Sequence, residues 1–252
     1  MNLSFYTAAV GVQQQQQRMN VQASNIANVN TCGYKAQKSA FQHLMYGTVA
    51  GIDGAELPRG TGAKMVSPTT DFSQAGLADT GRKLDFAIDG EGFFGLYDSA
   101  DGEISFTRDG SFVMSQFFIP ADENAAPGPD GALPGAREVW RLSDGEGRCV
   151  LDSRGNFIEL TSAEDELDVG VFDYAVRDGM LHAGGGRFLA GDKNGQLYLG
   201  DGQVKQGYLE VSNADLADQM IKVIESQRAY SYALKVVQTS DEVETTINGL
   251  RG

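Results

Sequence analysis

Apolar residues recurring at alternating steps of four and three mark both ends of the chain. Phe5, Ala9, Val12, Gln16, Met19, Ala23 and Ile26 keep that spacing, a heptad seam with one polar position, and predict a helix within residues 1–30. The Gln13–Gln17 tract lies inside it, and because glutamine is a good helix former the tract reads as helix rather than as an aggregation-prone segment. Asn28, Asn30 and Gly33 tolerate the left-handed backbone in which helices end. Together with Asn25, these asparagines are expected to finish the helix and satisfy its last carbonyls rather than to touch a ligand.

The other end repeats the design over a longer span. Leu216, Met220, Val223, Gln227, Tyr230, Leu234 and Val237 hold the four-three spacing, which then slips and resumes as Val236, Ser240, Val243, Ile247 and Leu250. Asn213 or Asp215 can cap the start, and Asp215 and Asp218 suit the positive end of the helix dipole. From Ala214 to about Asn248 nothing breaks a helix, a length that points to a coiled coil or an assembly element.

Between the ends the periodicity changes. Eight Asp-Gly pairs, beginning at Asp53, Asp89, Asp101, Asp109, Asp130, Asp144, Asp178 and Asp201, favour the backbone angles of tight hairpins. Short β-prone runs lie among them, including Leu84–Ile88, Phe93–Tyr97, Ile104–Thr107, Val139–Leu142 and Val169–Val176. An antiparallel β domain is expected from about Gly81 to Gly207. Residues 120–136, with four of the six prolines, read as a surface loop, and 37–80, without a sustained period, as an extended connector.

Charge is distributed in the same three zones. The net charge of −14 divides into +3 for residues 1–52, −14 for 53–207 and −3 for 208–252. Such an acidic chain opposes binding to nucleic acid or anionic lipid. Glycine, 32 of 252 residues, is well above the usual ~7 percent and agrees with many turns. Cys32 and Cys149 stand far apart, which removes disulfide frameworks and paired-cysteine zinc sites. The first basic residue is Arg18 and no apolar run of signal length follows, so the start does not read as a secretory leader. No stretch of ~18 apolar residues suggests membrane insertion.

No catalytic, cofactor or metal site is expected. Gly90, Gly92 and Gly95 form a G-x-G-x-x-G string, but Phe93, Phe94, Leu96 and Tyr97 continue it as a strand where a dinucleotide site needs a helix. Asp98, Asp101 and Glu103, or Asp192, Asn194 and Gly195, lack the spacing of a calcium loop and read as turn residues. His43 and His182 have no metal-ligand neighbours in sequence. Neither cysteine carries a nucleophile signature. Arg108-Asp109 reads as an ion pair beside a turn.

The ends also carry recognisable strings. Ala23–Lys35, A-S-N-I-A-N-V-N-T-C-G-Y-K, resembles the signature that closes the first helix of bacterial flagellar rod and hook proteins, with Cys32 departing from the usual proline or small polar residue. Gln206–Asn213 (Q-G-Y-L-E-V-S-N) and Gln227–Tyr230 (Q-R-A-Y, containing Arg228) resemble that family's C-terminal signature. Leu84–Phe94 and Thr107–Phe112 (T-R-D-G-S-F) are similar to its β-domain strings. The length resembles the rod subunits, proximal or distal, rather than the longer hook subunits.

The resemblance implies an axial subunit of the flagellar basal body, passed through the export apparatus and assembled with copies of itself and other rod and hook subunits into a helical tube. The expected fold is α+β: long terminal helices pairing as a coiled-coil-like hairpin, with a central antiparallel, turn-rich β domain. Residues 1–36 and 208–252 would be assembly helices, 37–80 a connector and 81–207 the β domain. Phe5, Ala9, Val12, Met19, Ala23 and Ile26 with Leu216, Met220, Val223, Gln227, Tyr230, Leu234 and Val237 would form the assembly seam. Two other readings stay open: a secreted β-domain binding module, which leaves the helical ends unexplained, and a nucleotide-dependent enzyme, which rests on Gly90–Gly95 alone.

Overall fold

The chain, seen in a computed structural model, is described over residues 3–44, 47–50, 56–60, 62–119, 137–160 and 167–251. A helix lies at each end and antiparallel strands lie between them, an α+β architecture. The residues form two compact units, the first from Met1–Val29, Ala36–Asp71 and Ala214–Gly252, the second from Asn30–Lys35 and Phe72–Asn213.

The first unit contains helix α1 (Leu3–Ala27) and helix α2 (Leu216–Arg251), which lie against each other. Asp215 caps α2, its carboxylate accepting from the Ala217 N–H at 2.9 Å. The helices run antiparallel, since Asn25 meets Gln219, Gln22 meets Ser226, and a methyl group placed on Gly11 would lie 4.0 Å from Cβ of Ala233. On α2, Gln219, Ser226, Ala233 and Ser240 repeat at seven-residue steps, and all but Ala233 are buried. Small and polar side chains thus meet at three levels along the contact between the helices.

The residues expected as a connector form an out-and-back ribbon. Gln37–Lys38 pairs with Thr69–Thr70, Phe41–His43 with Ala63–Met65, and Gly47–Ala50 with Glu56–Arg59. From Phe41↔Met65 to Ala50↔Glu56 each step forward is matched by one step back, so the last two ladders share one register. The glutamine tract meets this ribbon: Gln14 is buried, and its side-chain oxygen accepts from the Met65 N–H at 2.6 Å. The Asp53 turn, the Asp130 turn and the 120–136 loop lie outside the described residues.

The second unit is built on Phe93–Tyr97. This strand pairs with Ile104–Thr107, Cys149–Val150 and Val171–Tyr174, within an antiparallel network of ten strands among the described residues. Successive side chains of a strand point to opposite faces. Phe94 and Leu96 enter one core with Phe86, Phe112 and Leu142, while Phe93 enters another with Phe106, Phe172 and Phe188. Burial on both faces accounts for its unbroken apolar run. The final strands return to the beginning of the unit: Gln203–Gln206 pairs with Phe86–Asp89, and Tyr208–Glu210 with Leu77–Asp79.

Candidate functional site

Within the second unit, three distant segments meet at a buried cluster of charges. Lys35, Arg108 and Glu210 are each almost wholly excluded from solvent. The Lys35 ammonium donates to one carboxylate oxygen of Glu210 at 2.7 Å and to the Ser73 carbonyl at 2.8 Å. That oxygen also accepts from the Ala75 N–H at 2.7 Å, and the second accepts from Arg108 at 3.1 Å. Arg108 further donates to the Gly90 carbonyl at 2.8 Å and lies over the Phe93 ring. Burial pulls the Arg108 guanidinium below its ordinary pKa, and Glu210 opposes that pull. Arg108 thus pairs with Glu210 and not with Asp109, whose carboxylate instead accepts from the Ser111 N–H at 3.0 Å and stiffens the turn.

Gly33 makes the cluster possible. Its φ is +65°, its N–H donates to the Glu210 carbonyl at 2.8 Å, and a Cβ there would fall 2.3 Å from the Asp109 nitrogen. Only glycine allows this backbone to lie on Arg108-Asp109 in that conformation. Around Gly90 and Gly92 the chain turns between two strands and continues as Phe93–Tyr97, so the glycine string forms a turn and a buried strand rather than the start of a helix.

Elsewhere in this unit, Arg177 is gripped by Asp173 and Glu91, and the hydrogen bonds it donates, first to Asp173 and then to Glu91, push its pKa up. Burial alone would raise the Asp173 pKa, but hydrogen bonds from Arg177 and from the Tyr174 N–H hold it below the usual carboxylate range. Burial pushes the Cys32 and Cys149 thiols up, away from the thiolate that nucleophilic chemistry needs. Among the described residues no group of three His, Cys, Asp or Glu could hold a metal ion, and no helix is long and apolar enough to cross a membrane.

In the first unit, Asn25 is the organising residue. Its amide donates to the Gln37 carbonyl at 2.8 Å and to Gln219 at 3.1 Å, while its oxygen accepts from the Gln37 N–H at 2.9 Å. It therefore ties α1, α2 and the first ribbon strand together instead of ending the helix, a correction to the expected role. Asn28 donates to the Ser24 carbonyl at 2.8 Å at the end of α1, and Asn30 is exposed in the second unit. Gln22 and Ser226 add a buried contact of 3.1 Å.

The heptad residues occupy other faces. On α1, Phe5, Ala9, Val12, Met19 and Ile26 are half-buried and Gln16 and Ala23 exposed, on a different face from Gly11, Gln22 and Asn25. On α2, Val223, Tyr230, Leu234 and Val237 are half-buried beside the polar line, and Leu216, Met220, Gln227 and Arg228 are exposed. A third line, Ile221, Ile224, Tyr232, Val236, Val243, Ile247 and Leu250, is exposed throughout. At ~100° per residue it spans an arc of about 140°, rotated away from Gln219 and Ser226, with Ser240 about 20° beyond its edge. Apolar periodicity does not reveal the polar contact; its trace in the sequence is the seven-residue repeat of Gln219, Ser226, Ala233 and Ser240.

Comparison with known proteins places these segments. Residues 5–35 match the family model described as flagella basal body rod protein, and 205–250 match the model for the C-terminal part of the flagellar basal body rod FlgEFG proteins. Over the full length, the chain is 30% identical to the flagellar basal-body rod protein FlgG of Borreliella burgdorferi, covering 100% of this chain and 99% of the relative. It is 30% identical to FlgG of Agrobacterium fabrum, over 96% of both chains, and 29% identical to that of Bacillus subtilis, over 95% of this chain and 96% of the relative.

Proposed function

This chain belongs to the flagellar basal-body rod protein FlgG family and is a structural component of the basal-body rod; from that premise we propose that it is an axial subunit whose helices polymerise into a torque-transmitting helical tube. Its partners in this reading are copies of itself and other rod and hook subunits, reached by way of the flagellar export apparatus. The terminal helices are the assembly elements, residues 37–80 the connector and 81–207 the β domain.

The observation that supports this best is the apolar line on α2. Tyr232 is 65% and Leu250 83% exposed, and Ile221, Ile224, Val236, Val243 and Ile247 are all about half exposed along the same face. Glu225, Arg228 and Lys235 interrupt this stripe, but a soluble monomer rarely shows so long a run of exposed apolar side chains on one helix face, and burying them gains roughly 25 cal/mol per Å². The residues of α2 that meet α1, Gln219, Ser226 and Ala233, lie on another side of the helix, and the stripe is left exposed. Neighbouring subunits cover it, and coiled-coil-like packing of Phe5, Val12, Met19 and Ile26 with Met220, Val223, Tyr230, Leu234 and Val237 is completed between chains. Head-to-tail contacts that do not close on themselves yield a helical filament.

Electron microscopy of the concentrated protein tests this reading. Tubes or filaments are expected from the full chain and should be abolished by Leu234→Asp; discrete single subunits at all concentrations, in the presence of an intact fold, would refute it.

A further inference from the structure

The last strands of the second unit close its first ones. Gln203–Gln206 and Tyr208–Glu210 pair with Phe86–Asp89 and Leu77–Asp79, and Glu210 brings the carboxylate shared by Lys35 and Arg108. The two cations precede that anion by 175 and 102 positions.

Arg108 directly follows the strand Ile104–Thr107, and its guanidinium lies 5.6 Å from the centre of the Phe93 ring. Phe93 in turn packs against Phe72 and Phe188 in one of the two cores. That core cannot be dried without also desolvating the guanidinium. Burying an ion without its partner is strongly unfavourable, and here two cations, Lys35 and Arg108, would share one dry site. Hydrophobic packing around Phe93 is thus linked to the arrival of a residue far along the chain.

We infer that Glu210 is the latch of the second unit: residues 72–202 do not close around Phe93 until Tyr208–Glu210 has paired with Leu77–Asp79 and delivered its carboxylate. A chain delivered amino end first, by synthesis or through a channel, then keeps this unit open until residue 210 has followed. Gly33 fits the same sequence of events. Its segment precedes the latch, and its N–H is received by the backbone carbonyl of Glu210 itself.

Pulse-labelling hydrogen exchange during refolding of the full chain tests the latch. Amides of Phe93–Tyr97 and Ile104–Thr107 should gain protection in the same phase as those of Gln203–Glu210. In Glu210→Gln this phase should slow by roughly tenfold or more, or be lost. Should Glu210→Gln fail to fold, the apolar triple variant Lys35→Met, Arg108→Met, Glu210→Met keeps the inference exposed to test. With no ion to desolvate, its 93–107 hairpin should gain protection before residues 203–210. Earlier protection of that hairpin in the unaltered chain, a wild-type rate in Glu210→Gln, or an unchanged single phase in the triple variant would each overturn the latch.

Discussion

The ammonium of Lys35 lies 2.7 Å from a carboxylate oxygen of Glu210, with both side chains fully excluded from solvent. Lys35 closes the N-terminal segment that matches the rod family, and Glu210 lies in the C-terminal one. Arg108 joins them from between. The two matched ends therefore meet inside one unit through charge, in addition to the contact between their helices.

Unequal costs follow for the members of this cluster. Lys35→Met removes the charge-assisted hydrogen bonds to Glu210 and to the Ser73 carbonyl but leaves one cation facing one carboxylate, and should cost about 2–3 kcal/mol. Glu210→Gln leaves two buried cations beside a neutral amide, and should cost about 3–5 kcal/mol. Urea unfolding of both variants checks the order; a smaller loss for Glu210→Gln would contradict the shared-anion geometry.

Gly33→Ala should be far more damaging than a left-handed backbone alone explains. Gly33 and Gly81 both have φ of +65°, yet a Cβ meets the Asp109 nitrogen at 2.3 Å in the first case and nothing within 4 Å in the second. Gly81→Ala should cost about 1–2 kcal/mol, and Gly33→Ala more than about 3 kcal/mol. Thermal unfolding of the pair separates the close approach from the backbone strain.

Asn25 and Gln219 should be energetically coupled. Their hydrogen bond is buried, and Asn25 also serves both backbone groups of Gln37. A double-mutant cycle with Asn25→Ala and Gln219→Ala should give a coupling of about 0.5–3 kcal/mol. Additivity of the two losses would mean that the helices take their register from elsewhere.

Helix positions and turn-rich strands were legible because each leaves a local trace: the heptads around Val12 and Leu234, and the Asp-Gly pairs from Asp89 to Asp201. The helix contact was not, because Gly11, Gln22, Asn25, Ser226 and Ala233 carry no apolar signal; they meet through hydrogen bonds and small size. Arg108 illustrates a second blindness. Its neighbour Asp109 was the partner that sequence proximity suggested, whereas its actual carboxylate lies 102 positions on, brought near only by the pairing of Tyr208–Glu210 with Leu77–Asp79. The ribbon at 37–71 left no period because most of its described side chains are exposed or half-exposed, with no single buried face to alternate.

Acid should selectively remove the contribution of Asp173. Its carboxyl pKa in the fold lies below the ordinary value of ~3.9, so its stabilisation is present in full above that value and is lost as pH falls through the lower folded one. Asp173→Asn should therefore be less stable than the unaltered chain at about pH 6, with the difference shrinking below about pH 4. Urea midpoints across that range read it directly, and a difference that grows on acidification would reverse the assigned sign.

The uncovered stripe on α2 is the center of the functional account, and sedimentation velocity of the full chain against Ile224→Asp and Ile247→Asp probes it most directly. Both positions are about half exposed, so the substitutions should leave helix content and melting temperature nearly unchanged. The unaltered chain should shift to large, concentration-dependent species while both variants sediment as single subunits. Assembly of the variants at the same concentrations as the unaltered chain would contradict the assignment of this face to subunit contacts.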